Sequence, residues 1–143
     1  MRGGAFFAAA AAIIAAVASQ TSAFAEPKVG RDYIDSLLTR ALLERGAMIA
    51  CAGIENDAKL IEVLITSWHK DAAGSAKLLR EVGYPDDYIE ALMARLDIEK
   101  ATPKFPDRTA LITYCNALGD WKLRWEMYMI AAPQFEIKRA LDQ

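Results

Sequence analysis

The sequence predicts an all-α protein: a small single-domain bundle of four to five helices with one disulfide. Three observations carry this. Apolar residues recur at the 3.6-residue period of an amphipathic helix in one segment after another. No stretch alternates polar and apolar residues, and no Asn-Gly or Asp-Gly pair offers a hairpin turn. Glycine and proline fall between the periodic stretches, where helices are expected to stop.

The chain opens with "MRGGAFFAAAAAIIAAVASQTSAFA", in which Arg2 is the only charge. An apolar run from Ala5 to Ala18 is followed by Ser-Gln-Thr-Ser and by Ala23-Phe24-Ala25. A positive start, a short apolar middle and an A-x-A ending are the parts of a secretory signal peptide. The run is shorter than the roughly 20 residues that a membrane-spanning helix needs. No cysteine lies nearby to accept a lipid anchor. Residues 1–25 are therefore expected to be a cleaved signal and 26–143 the helical domain. Cleavage after Ala25 would leave the protein in the periplasm or outside the cell, with no membrane attachment.

The remaining chain has the size of one ordinary domain. Losing Arg2 takes its formal charge from −2 to −3. Phosphate backbones call for an excess of lysine and arginine, so nucleic acid is not an expected partner. Nor is there a polybasic stretch that would hold an anionic membrane surface.

Cys51 and Cys115 are the only cysteines. Exported proteins keep disulfides, and these two are far from any C-x-x-C redox or metal spacing. Closing so long a loop would stabilise the fold by about 4 kcal/mol.

A first helix is read from Asp32 to Ala52, with Ile34, Leu38, Leu42, Met48 and Ile49 along its apolar side. Gly53 sits where a left-handed terminating residue is wanted, and Asn56 or Asp57 can cap the next helix. That second helix carries Ile61, Leu64, Trp68, Ala76 and Leu79 on one side and ends at Gly83. Gly74 inside it costs about 1 kcal/mol relative to alanine, which a bend or a close helix crossing would explain. Pro85 suits the first turn of a third helix, and Asp86, Asp87 and Glu90 favour the positive end of its dipole. Its buried side is Ile89, Leu92, Met93 and Leu96. "ATPKFPD" is a loop. Asp107 caps a fourth helix that stops by Pro133, and a short fifth runs from Gln134 to Leu141.

"YCNALGDWKLRWEMY" places Tyr114, Leu118, Trp121, Trp125 and Tyr128 at steps of four, three, four and three residues. A helix uses such steps to aim residues at a partner helix, so the row is expected to fill the centre of the bundle. Arg124 lies beside the tryptophans, and Trp, Tyr and Arg dominate binding hot spots. Trp121, Arg124, Trp125 and Tyr128 are accordingly the candidate binding residues. Gly119-Asp120 offers a different outcome: the end of one helix and the cap of the next, which would turn the tryptophans away from Tyr114. Cys115 neighbours the row and Cys51 edges the apolar face of the first helix, so the two sulfurs should meet where the first and fourth helices pack.

Catalytic constellations are missing from the sequence. His69 is the sole histidine. In "SWHKDAAGS" Ser67, Asp71 and Ser75 share a helix face, while His69 is turned about 200° from Ser67. There is no G-x-S-x-G elbow, H-E-x-x-H or zinc-spaced Cys/His set, and C-x-x-C-H is absent. Neither cofactor nor metal is expected. Asp86, Asp87 and Glu90 are accounted for by dipole complementarity.

These features favour an exported interaction protein of inhibitor, immunity or chaperone type, binding another envelope or secreted protein or a second copy of itself. One alternative is a small-ligand carrier with an apolar pocket lined by Trp68, Trp121 and Met127 or Met129. Another is a carboxylate-dependent cell-wall enzyme.

Overall fold

The computed structural model describes residues 27–128 and 132–143. The expected signal segment, residues 1–25, and Met129 lie outside them. Every regular element among the described residues is helical, and none of these helices is long and apolar enough to cross a membrane.

The first helix, α1 (Arg31–Ala52), is the central strut. At 1.5 Å per residue it spans about 33 Å, and its inward stripe of Ile34, Leu38, Leu42, Met48 and Ala52 is buried. Gly53 does not take the left-handed conformation expected of it; its φ is −65°. The chain instead continues through a 3-10 turn, Gly53–Glu55, and the left-handed residue is Asn56 at φ 51°. Asparagine tolerates that region better than most residues, so the stop is delayed by one turn.

Asp57 caps α2 (Ala58–Glu81), its Oδ1 accepting from the Leu60 N–H at 2.9 Å. The helix ends at Gly83, with φ +97°. There the Tyr84 N–H bonds back to the Leu79 carbonyl at 3.0 Å, the six-to-one closure of a Schellman motif. Trp68 is buried in the core, and its indole N–H donates to the Leu96 carbonyl at 3.2 Å.

Pro85 stands at the cap of α3 (Asp86–Arg95), one position ahead of its expected first-turn place. Ile89, Leu92 and Leu96 are buried as the periodicity requires, and Met93 is half-buried. Two tyrosines, one just before α3 and one within it, fasten this region to α1 and the residues that precede it. The Tyr84 hydroxyl donates to the Val29 carbonyl, and the Tyr88 hydroxyl donates to Asp35 Oδ1 at 2.8 Å. Burial, reinforced by the bond to the Asp35 carboxylate, raises the Tyr88 pKa.

A short α4 (Ile98–Ala101) precedes the proline loop, capped by Asp97 through the N–H groups of Glu99 and Lys100. The Lys100 N–H is the main reason the Asp97 carboxyl is held below the usual range. This helix abuts α1 at Gly46, where a Cβ would come within 2.6 Å of the Ala101 carbonyl oxygen. Gly46 is thus the residue that close helix contact demands. At Gly74 a Cβ would meet only the Gln134 side chain, at 3.6 Å.

The expected fourth helix is two helices. After α5 (Arg108–Ala117), capped by Asp107 at 2.8 Å from the Ala110 N–H, Gly119 adopts φ +74°. Asp120 then caps α6 (Trp121–Tyr128) through the Leu123 N–H at 3.0 Å. The disulfide Cys51–Cys115 joins the end of α1 to α5, with Cα atoms 5.7 Å apart. The last helix, α7 (Pro133–Leu141), begins with its proline in the first turn and packs on α2 and α1.

Candidate functional site

The left-handed Gly119 decides what becomes of the aromatic row. A continuous helix would have driven Tyr114, Leu118, Trp121 and Trp125 into the bundle centre. The break leaves each of them only half-buried, and the core is filled instead by α1, α2 and α3. The expectation that the row is the core is therefore corrected. Tyr114 packs on Phe105 of the proline loop, with ring centroids 4.8 Å apart.

No residue of α6 is fully buried, but Trp121, Trp125 and Tyr128 pack half-buried against the core, and polar contacts add to that hold. Lys122 pairs with Glu55, and Arg124 reaches Glu44 at 3.2 Å. The strongest hold lies beneath it. Arg45 of α1 is 0% exposed, and its guanidinium donates to the Leu64 carbonyl and to Asp71 Oδ2, both at 3.0 Å. The rings of Trp125 and Tyr128 lie 4.7 and 4.6 Å from its Cζ. An arginine is the cation suited to this, because its flat, weakly hydrated guanidinium stacks on aromatic faces while its N–H groups bond in plane. Burial pushes the Tyr128 pKa up to about 12, with the Arg45 charge working in the opposite direction. Among the described residues the Tyr128 hydroxyl has no hydrogen-bond partner.

Seated this way, α6 and α5 stand off from the outer side of α1 and leave a groove of about 830 Å³. Leu43, Ala47 and Met48 of α1 form one wall, and Tyr114, Leu118 and Trp121 the other. Glu44 and Arg124 pair across the groove, Arg40 stands one turn along α1 from Glu44, and Asp35 marks the end of the α1 lining. Leu43 is 56% exposed although it lies in the middle of the central helix. The α1 lining runs from Asp35 to Met48, about 20 Å along the axis.

The four candidate binding residues fall into two groups. Trp121 and Arg124 line the groove. Trp125 and Tyr128 sit over Arg45, and Trp125 also faces a second cleft beside α2. Sequence reasoning missed Arg45, Asp71 and Leu43. The first two could have been noticed, because Arg45 falls in the apolar stripe between Leu42 and Met48, and Asp71 falls between Trp68 and Ser75.

The pocket expected between Trp68, Trp121 and Met127 does not form among the described residues. Trp68 is 1% exposed inside the core, and Met127 is 62% exposed on the far side of α6. Ser67 and Asp71 share the second cleft, while His69 is exposed and outside its lining. Asp87 accepts from the Tyr88 N–H at 2.7 Å, and Asp86 pairs with Arg80 at 3.4 Å. Among the described residues no group of three or more His, Cys, Asp or Glu is placed to hold a metal ion. No protein-family model, curated protein or solved structure matches the chain.

Proposed function

We propose that this is an exported helical interaction protein that recognises another envelope or secreted protein through the groove between α1 and α5/α6. The observation that carries the reading is the groove itself, with an exposed leucine and a half-buried tryptophan facing each other across it. A groove about 20 Å long with apolar walls suits a short amphipathic helix, which presents apolar residues every three to four positions. The charges that line it are of both signs, Asp35 and Glu44 against Arg40 and Arg124, each held in an ion pair of its own. They would set the register of an incoming segment and favour one partner over others. Trp121 supplies the rigid aromatic surface typical of a binding hot spot.

The test is partner capture by the purified, exported protein, followed by affinity measurement on Leu43→Glu and Trp121→Ala. Truncating a hot-spot residue costs about 2 kcal/mol or more, or roughly thirtyfold in affinity. Ala91→Glu, an exposed change on α3, should leave affinity as it was. Equal affinity for all three variants would overturn the reading. If the partner is a second copy, wild type will run as a dimer in light scattering and Leu43→Glu as a monomer.

One observation favours a second reading, a small-ligand carrier. The groove volume lies in the range of roughly 300–1,000 Å³ that small-molecule sites occupy. Native mass spectrometry of freshly exported protein would then show a retained ligand mass that Leu43→Glu loses.

A further inference from the structure

Of the described helices, α5 alone adds no side chain to the apolar core or to the half-buried residues packed on it. Its only fully buried residue is Cys115. Among the described residues, its side chains make no hydrogen bond or ion pair to another helix; Thr113 bonds within α5 and Asp107 caps it from the preceding residue. Tyr114 rests on Phe105, which belongs to the loop leading into the same helix. By contrast α6 is packed on the core, paired with Glu44 and Glu55, and stacked on Arg45.

Both ends of the α5 segment are free to turn. Upstream, residues 103–106 make no backbone–backbone hydrogen bond, so nothing in the main chain pins the approach to the helix. Downstream, Gly119 stands in the left-handed region at φ +74°. Arg124 holds the Leu118 carbonyl at 2.6 Å, which fixes that pivot and leaves the body of α5 unattached by it. What fastens the helix to α1 is the bridge from Cys115 to Cys51, whose residues are 5% and 1% exposed.

We propose that Cys51–Cys115 is a redox latch on the α1 groove. With the bridge formed, α5 closes as part of the outer wall and sets Tyr114 opposite Leu43 and Met48. With both thiols reduced, α5 swings out between the proline loop and Gly119, while the rest of the bundle stays folded. The gating of recognition rests on the groove being the recognition surface; the latch itself does not. Closure is thiol–disulfide exchange with a disulfide-bearing oxidant. One cysteine thiolate attacks a sulfur of the oxidant and releases its first thiol; the other cysteine then displaces the second, so two electrons and two protons leave with the oxidant's dithiol. A dithiol reductant reverses the step. Both sulfurs are shielded when the latch is closed, so α5 must lift before a reductant thiolate can reach them. The closed form therefore persists in an oxidising compartment, and recognition is confined to it.

The experiment compares amide resonances of isotope-labelled wild type with those of the Cys51→Ser/Cys115→Ser chain. A helix of 10 residues is marginal by itself, so the amides of Arg108–Ala117 should move to the positions of an unfolded segment. Leu43 and Met48 should shift with them, and α2 and α3 should keep their wild-type positions. Leu111→Ala with Ile112→Ala, made with the bridge intact, asks the same question without removing it; α5 and Leu43 should stay near their wild-type positions. A partner captured through the groove should bind the serine chain roughly tenfold more weakly. Unchanged α5 amides in the serine chain, a native spectrum lost throughout, or α5 displaced by the alanine pair would each overturn the latch. Released α5 with unchanged partner affinity would overturn the gating alone, and would trace that failure to the groove reading.

Discussion

Replacing Arg45 by methionine tests how α6 and α7 are held to the rest of the fold. Methionine keeps much of the side-chain volume, so packing loss is small compared with the electrostatic loss. The variant removes the ion pair to Asp71 and the bond to the Leu64 carbonyl, both 3.0 Å long, and the cation under Trp125 and Tyr128. What dominates is the carboxylate left behind, because Asp71 stays mostly desolvated with no countercharge. Breaking one half of a buried pair costs about 3–5 kcal/mol, against a net stability of about 5–15 kcal/mol for a domain. With a urea dependence of about 1.5 kcal/mol per molar, the unfolding midpoint should fall by roughly 2–3 M. Tryptophan emission should also shift to the red under native conditions as Trp125 loses its seat. Asp71→Leu in the same chain should recover most of the loss, because a buried pair exchanged for apolar side chains is close to neutral. A loss below about 1 kcal/mol, or losses from the two substitutions that simply add, would refute the reasoning.

Three further outcomes follow from the same geometry. Native protein should show no titratable thiol, and Cys51→Ser with Cys115→Ser should lower stability by about 4 kcal/mol, the loop-closure term for a separation of 64 residues. Gly46→Ala should destabilise by about 1–3 kcal/mol, since the Ala101 carbonyl oxygen would stand 2.6 Å from the new Cβ. Gly74→Ala meets only the Gln134 side chain at 3.6 Å and should gain up to about 1 kcal/mol, so thermal melts of the two should move in opposite directions. The Tyr128 pKa is raised from 10.0 to about 12 in the folded state, so the unfolded chain ionises first. Its contribution is complete below pH 10 and is lost as pH rises towards 12; urea melts across that window should show the decline, and Tyr128→Phe should reduce it.

Much of the fold was legible because local rules and tertiary packing agree over long stretches. The stripes of α1, α2 and α3, the Asp57 and Asp107 caps and the Gly83 stop were all readable, since each depends on a few neighbouring residues. The meeting of Cys51 and Cys115 was readable from the faces they edge. The aromatic row was read as core because its periodicity runs on through Gly119-Asp120; the alternative that this dipeptide offered, a glycine stop followed by an aspartate cap, is the one the structure takes. Gly53 was misjudged because a 3-10 turn can carry the chain on to Asn56, a choice that turns on packing beyond the helix end. Arg45 and Asp71 were in plain sight as charges within two apolar stripes, and a charge at such a position implies a buried counterpart. The groove was not legible at all: it is the space left when α6 is seated on Arg45, and no single segment encodes it.

The decisive measurement is site-specific photo-crosslinking in the producing cell, with the photoreactive residue placed at Leu43 and, separately, at exposed Ala91. A groove that works as the recognition surface predicts one discrete protein adduct from position 43 and none from position 91. The adducted protein, once purified, should bind wild type and fail to bind Leu43→Glu. The same faint smear from both positions, or an adducted protein that binds Leu43→Glu as tightly as wild type, would contradict it.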